Sequence, residues 1–212
     1  MVDWGKVLNG IPIETILILV GLLIFVSIIK SNWFKGKLGE VFVNGINKLS
    51  LDKNIYKNIK DVIIKLKDGS TTQIDHIIVS KYGIFVIETK NYKGWIFGNE
   101  KSKNWTVTNY KKKNQFQNPI HQNYKHIKAL EEILKLDIKS FVSIVAFMGE
   151  CTFKTDMPDN VFQGNQYIKY IKSFDKAIFN PGQVNIIIKD IERKRLKRGF
   201  KTDREHVKTL RK

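Results

Sequence analysis

Residues 73–90 read Gln-Ile-Asp-His-Ile-Ile-Val-Ser-Lys-Tyr-Gly-Ile-Phe-Val-Ile-Glu-Thr-Lys, and this stretch predicts two antiparallel strands joined by a tight turn. β-Branched and aromatic residues dominate both halves, which favours strands. If the turn places Ser80 opposite Gly83, the register of the pair is fixed, because turn geometry sets hairpin register. Asp75 then lies opposite Glu88.

Three charged side chains are therefore expected to converge at one end of an otherwise apolar strand pair. Side chains alternate faces along a strand, so Gln73, Asp75 and Ile77 share one face of the first strand, and Glu88 and Lys90 share one face of the second. Like charges this close repel each other in a partly buried site. A divalent cation between the carboxylates would remove that repulsion, and oxygen ligands favour Mg²⁺ or Mn²⁺. The alternative is a surface salt bridge between the acids and the lysine.

The rest of the chain predicts one α/β or α+β domain, in which a mixed sheet lies between helices. Helical periodicity and caps indicate helices at residues 35–50, 118–136, 166–177 and 182–196. Alternating or continuous apolar runs indicate strands at residues 54–59, 62–67, 72–80, 84–90, 94–98, 104–109 and 141–148.

The N-terminal segment predicts a single membrane-spanning helix. Residues 11–29 approach the roughly 20 residues that cross a bilayer, and residues 15–29 carry no charge. A cleaved signal peptide is the rival reading, but the start is not strongly basic and no small-residue cleavage pattern follows. A buried core helix is the second alternative, which is disfavoured because the segment is apolar on every face.

The charge distribution predicts the orientation of the helix and the nature of the partners. Lys30, Lys35 and Lys37 follow the span and only Lys6 precedes it, so the positive-inside rule places the C-terminal body in the cytoplasm, at the cell membrane. The whole chain carries 37 Lys and Arg against 20 Asp and Glu, a net charge of +17. The basic tail at 189–212 could contact a nucleic-acid backbone or anionic lipid.

Several short motifs together resemble the nuclease-related domain, NERD, a family similar to the PD-(D/E)xK nuclease superfamily. The residues that carry this resemblance are Gly39-Glu40, Gln73-Ile-Asp75-His76, Tyr82-Gly83-Ile-Phe-Val-Ile-Glu88-Thr-Lys90-Asn91, Gly94-Trp95 and Asn118-Pro119-Ile-His-Gln122. The resemblance implies a restriction-endonuclease-like core. Together with the apolar N-terminal span and the basic tail, it predicts three segments: an anchor at 1–31 with its helix at about 11–30, the nuclease-like domain at 35–150, and a helical extension with a basic tail at 151–212.

The resemblance also implies roles for individual residues. Asp75 and Glu88 would be ligands of Mg²⁺ or Mn²⁺, and Lys90 would be the catalytic lysine. Glu40 would be an auxiliary acid from the first helix, and Gln122 a polar side chain that faces the site from a later helix. The family usually has an acid where this chain has Gln73.

The leading hypothesis is a membrane-anchored, metal-dependent nuclease that hydrolyses phosphodiester bonds, with DNA favoured over RNA as the substrate. The second hypothesis is a catalytically inactive, membrane-tethered protein that binds nucleic acid or acts as a scaffold on the same fold. The third is a peripheral lipid-binding module whose acids are structural. His126 is expected to flank the site, since it lies one helical turn after Gln122. Cys151 is expected to be an inert thiol.

Overall fold

The computed structural model describes residues 12–110 and 112–196, and the chain divides into two compact units, residues 1–38 and 39–212. The helices are α1 (Ile13–Lys30), α2 (Asn32–Ser50), α3 (Pro119–Leu134), α4 (Tyr167–Lys172) and α5 (Pro181–Lys194). The strands are β1 (Lys57–Lys65), β2 (Thr71–Ser80), β3 (Gly83–Lys90), β4 (Gly94–Phe97), β5 (Asn104–Asn109), β6 (Lys112–Gln117), β7 (Phe141–Phe147), β8 (Cys151–Phe153) and β9 (Val161–Gln163).

Helix α1 is the predicted apolar segment. It begins after Pro12, whose carbonyl oxygen accepts hydrogen bonds from the amides of Thr15 and Ile16, and proline suits this position because its missing N–H would be unpaired there. The side chains of the helix are exposed, and its 18 residues are long and apolar enough to cross a membrane by length and composition.

A five-stranded mixed sheet in the order β1-β2-β3-β7-β9 forms the centre of the second unit. Strands β1, β2 and β3 pair antiparallel, and β3, β7 and β9 pair parallel. Helices α3 and α5 cover one face of this sheet, and α2 and α4 cover the other. The predicted mixed sheet between helices is therefore confirmed.

The predicted hairpin register is confirmed up to the charged end of the sheet. Ser80 pairs with Gly83, and the ladder continues through Ile77 opposite Val86 to its last pair, His76 opposite Ile87. Beyond that pair, the amide of Thr89 donates to the Asp75 carboxylate at 2.9 Å. The side chain of Asp75 thus occupies the place of a ladder partner.

The strict alternation of faces predicted for β2 is wrong on the N-terminal side of Asp75. Ile77 packs in the core beneath α3, as expected, but Ile74 packs in the same core. His76 lies on the opposite face of the sheet, where its ring forms a hydrogen bond with the carbonyl oxygen of Glu40 in α2. Asp61, across from this point on β1, has a φ of 58°. This left-handed residue interrupts the regular pleat, so the core-facing positions change from odd to even numbers.

A second, four-stranded sheet has the order β6-β5-β4-β8, and its strands alternate along the chain with those of the first sheet. Its inner face is apolar: Ile96, Trp105 and Val107 pack with Phe147 from the end of β7. Strands β6, β8 and β9 had not been predicted, and α4 is shorter than the helix expected at 166–177. The two runs expected at 54–59 and 62–67 form the single strand β1.

Candidate active site

The candidate site lies at the end of β3, where this strand is paired on one side only. Glu88 and Lys90 remain in register with Val145 and Phe147 of β7. On the other side the β2–β3 ladder has ended, and Asp75 lies next to the amide of Thr89. The two carboxylates and the amine predicted to meet are therefore brought together by the structure.

Lys90 is held by two neighbours. Its ammonium group donates to Glu88 Oε1 at 2.6 Å and to Gln122 Oε1 at 2.9 Å. Burial alone would lower the pKa of Lys90, but the charge and hydrogen bond of Glu88, together with the negative charge of Asp75, outweigh burial and raise the pKa. Lys90 is therefore a cation at neutral pH, fixed between a carboxylate and an amide oxygen.

The two carboxylates have opposite electrostatic environments. Burial raises the pKa of Asp75 well above its ordinary value, and the negative charges of Glu88 and Glu40 raise it further. Burial also acts to raise the pKa of Glu88, but Lys90 and a hydrogen bond from His126 lower it overall. Two neighbouring acids with pKa values pushed apart are typical of functional sites.

Glu40 reaches the site because helix α2 lies close to the end of β3. The glycine before it, Gly39, is buried, and a Cβ atom at that position would lie 2.9 Å from the Cβ of Asn91. A larger residue would push the helix away from the strand. Glu40 is partly buried and lines the same cleft as Asp75.

His126 forms a hydrogen-bonded chain behind the site. Its Nε2 lies 3.1 Å from Glu88 Oε2, and its Nδ1 lies 2.7 Å from the hydroxyl of Thr72. The expectation that His126 flanks the site agrees with this geometry. Thr72 was not anticipated, because only the break in the pleat at Asp75 turns its side chain toward α3.

Helix α3 is fixed to the sheet by a residue next to Gln122. The Asn123 side chain is fully buried, and its Nδ2 donates to the carbonyl oxygens of Val86 and Ile144 and to the hydroxyl of Ser143, at 2.8, 3.1 and 2.9 Å. This anchor sets the height at which Gln122 meets Lys90. Sequence reasoning missed Asn123, whose only signal is a polar residue on the apolar side of a helix.

An open cleft of about 1120 Å³ gives solvent access to the site. Asp75, Glu40, Gln122 and His126 line it, together with residues of the β1–β2 turn and the exposed face of α3. A groove of this size next to buried charged groups is the usual form of a binding site.

The donor set suits a hard divalent cation. Asp75 and Glu88 offer carboxylate oxygens, and the pKa of Asp75 is raised first by burial and then by the negative charges of Glu88 and Glu40, which a cation would offset. Within residues 12–110 and 112–196, no three His, Cys, Asp or Glu side chains are grouped to hold a metal ion. Two carboxylates with water and phosphate oxygens as the remaining ligands are the common arrangement for Mg²⁺.

The fold and the site together define a class: a mixed sheet framed by helices that presents an Asp, a Glu and a Lys at the end of neighbouring strands. The nuclease-related domain family, NERD, matches residues 35–148, and the chain belongs to this family. The resemblance of this chain to the PD-(D/E)xK nucleases is consistent with the general classification of the domain.

A relative matches a longer part of the chain than the family model does. A Bacillus anthracis protein whose name describes it as uncharacterized is 38% identical over 202 residues, covering 85% of this chain and 92% of the relative. No solved structure matches the chain.

Some predicted features lie outside the described residues. These are Lys6 of the N-terminal flank, Lys111, and the part of the basic tail from residue 197 onward.

Proposed function

We propose that this protein is a metal-dependent nuclease that hydrolyses phosphodiester bonds of nucleic acid, with DNA as its first candidate substrate. The observation that carries the proposal is the contact of Lys90 with Glu88 and Gln122, beside Asp75, at the edge of an open cleft. Membership of the nuclease-related family supports the reaction class.

Asp75 and Glu88 would hold Mg²⁺ or Mn²⁺. A bound ion of this kind polarises a phosphoryl oxygen and lowers the pKa of a coordinated water. Glu88 is prepared for this task because its lowered pKa keeps it ionised, and the hydrogen bond from His126 orients its second oxygen. Such outer contacts fix the geometry of a ligating carboxylate.

Lys90 would act as a cation and hydrogen-bond donor. Its raised pKa makes it a poor proton acceptor at neutral pH, so it is suited to orient the attacking water and to offset the negative charge that develops on the phosphate. Gln122 would keep the ammonium group directed into the cleft. Glu40 adds negative charge next to Asp75, which strengthens the attraction for a cation.

We further propose that α1 anchors the protein in the cell membrane with the nuclease domain in the cytoplasm. The length and apolarity of α1 and the lysines that follow it support this orientation.

Cleavage assays on the full chain in non-ionic detergent test the reaction. Single- and double-stranded DNA and RNA would be incubated with Mg²⁺, Mn²⁺ or EDTA. We expect cleavage that requires the metal and is lost in Asp75→Asn and Lys90→Ala. Asp175→Asn and Lys169→Ala remove the same charges from exposed positions and should retain activity. Metal-independent cleavage, or cleavage that survives Lys90→Ala, would contradict the mechanism.

A further inference from the structure

The outer face of the second sheet carries large aromatic side chains in solvent. Trp95 is 54% exposed, Phe97 is 37% exposed, and Tyr110, at the β5–β6 turn, is 96% exposed. We call Trp95, Phe97 and Tyr110, with the neighbouring Lys113 and Lys154, the aromatic face. A cluster of this kind on a soluble surface indicates an interaction site.

Strand pairing arranges this face in rows across the sheet. Trp95 lies opposite Thr108 on one side and Thr152 on the other, and Thr108 lies opposite Lys113. Directly opposed residues share a face. One row therefore runs from a lysine through a threonine and a tryptophan to a second threonine. Ile96 and its cross-strand partners Val107 and Phe153 point to the core instead.

A shallow groove of about 340 Å³ lies between Trp95 and Tyr110. Thr108, Asn109 and Thr152 also line it. Tyr110 has a φ of 51°, an uncommon conformation for an aromatic residue. The groove thus combines two aromatic walls with hydroxyl and amide groups that can form hydrogen bonds.

The charge on this face is positive. The ammonium group of Lys154 lies 4.8 Å from the centre of the Trp95 ring. Lys113 is exposed in the same row as Trp95. Glu150 also lines the groove, and Lys93 neutralises it through an ion pair at 2.8 Å.

We propose that the aromatic face binds single-stranded nucleic acid, with bases stacked on Trp95 and Tyr110 and phosphates near Lys113 and Lys154. Exposed aromatic rings next to cations are how sheets bind unpaired strands without sequence readout. A lipid surface fits less well, because acyl chains would leave the polar groups of the groove without hydrogen bonds.

This surface is separate from the cleft, so its binding does not depend on hydrolysis. Trp95 follows Lys90 by five residues, which limits the distance between their Cα atoms to about 18 Å. A single strand held by the aromatic face is therefore near enough to be presented to the candidate active site.

The test measures binding by the full chain in non-ionic detergent with EDTA present. The probes are a fluorescein-labelled oligodeoxythymidylate and the same strand annealed to its complement, followed by anisotropy. We expect Trp95→Ala and Tyr110→Ala each to weaken single-strand binding about 5- to 100-fold and to change duplex binding much less. Lys113→Gln should reduce the slope of log affinity against log salt by about 0.7, the value for one lost phosphate contact on a single strand.

Three controls separate the face from other causes. Trp95→Phe retains a ring and should bind within about threefold of the native protein. Phe42→Ala removes an equally exposed aromatic side chain from α2 and should change nothing. Asp75→Asn should bind the strand normally, so failure of the proposed hydrolysis is distinguished from failure of this proposal.

Two outcomes would overturn the proposal. One is an equal loss of single-strand and duplex binding, or no loss, in both alanine variants with native circular dichroism. The other is contact of the aromatic face with the bilayer. In proteoliposomes, brominated phospholipids would then quench the tryptophan fluorescence of the native protein more than that of Trp95→Phe, whereas the oligonucleotide would not quench the native protein more.

Discussion

Two adjacent residues of α3 are predicted to separate stability from activity. Asn123→Ala removes a buried amide whose two N–H groups are shared among three acceptors of the central sheet, two carbonyl oxygens and one hydroxyl group. Gln122→Ala removes a partly exposed amide whose oxygen accepts from Lys90. We expect the first change to destabilise the fold and the second to impair cleavage.

The magnitude for Asn123→Ala follows from its contacts. A hydrogen bond contributes about 1 kcal/mol net, and an acceptor left buried without a donor costs about as much or more. Two donated bonds, with the acceptors they leave buried, give a loss of about 3 kcal/mol. The Gln122→Ala change should cost less than about 1 kcal/mol in stability, because water can replace the lost group, but misplacement of Lys90 should reduce cleavage about 10- to 100-fold.

Urea unfolding in detergent, followed by circular dichroism, measures the first effect. With a slope of about 2–3 kcal/mol per molar urea, a loss of 3 kcal/mol lowers the midpoint by about 1–1.5 M. Asn123→Asp is the volume-matched control, since it keeps the shape but turns an acceptor toward the two carbonyl oxygens. It should destabilise at least as much as alanine. An unchanged midpoint in Asn123→Ala, or a stable Asn123→Asp, would refute the anchoring role.

Three further predictions concern charge, thiol reactivity and close packing. Without metal, Asp75→Asn should be more stable than the native chain at neutral pH; Mg²⁺ at ten times its dissociation constant should raise the melting temperature of the native chain alone by about 3–6 °C. Because the pKa of Asp75 is raised, the folded state binds the extra proton, so metal-free stability should fall as pH rises from about 4 through that pKa. Burial raises the pKa of Cys151 to about 11, so the native thiol should react with a disulfide reagent at pH 8 far more slowly than the unfolded thiol. Gly149→Ala should cost about 2 kcal/mol or more in urea unfolding, because a Cβ atom would collide with the carbonyl oxygen of Tyr92.

Each of these predictions has a result that contradicts it. Equal Mg²⁺ stabilisation of Asp75→Asn, or a pH profile that the substitution leaves unchanged, would remove Asp75 from the metal site. Rapid modification of Cys151 in the native state would contradict its burial. For the glycine, Gly45→Ala is the matched control: it has open space around it in α2 and should stabilise by about 0.5–1 kcal/mol.

The sequence predicted the hairpin that carries the site because its signals are local. The turn at Ser80 to Gly83 sets the register, and the apolar runs on either side leave one pairing that buries both strands. The change of core-facing positions near Asp75 depends instead on the left-handed backbone of Asp61. Asp61 is distant from Asp75 along the chain, and no neighbouring residue predicts its conformation.

The elements that were missed lack such local signals. Strand β6 reads Lys-Lys-Asn-Gln-Phe-Gln and is mostly exposed, so only its pairing with β5 makes it a strand. Strands β8 and β9 have three residues each. The contacts of Thr72 and Asn123 with the site depend on tertiary packing, which residue type alone does not encode.

Strand β3 and its neighbour β7 leave the central sheet side by side. The amide of Met148 donates to the carbonyl oxygen of Lys90, and the amide of Gly94 then donates to the carbonyl oxygen of Glu150. Both segments enter the second sheet still joined by hydrogen bonds, as β4 and β8, so the backbone of Lys90 is fixed by the junction of two sheets. Asp75 lies beyond the last pair of the β2–β3 ladder, although β2 is still paired there with β1. One side of the candidate active site is therefore held by two sheets, and adjustment to ligands of different size falls to groups outside this junction, Asp75 among them.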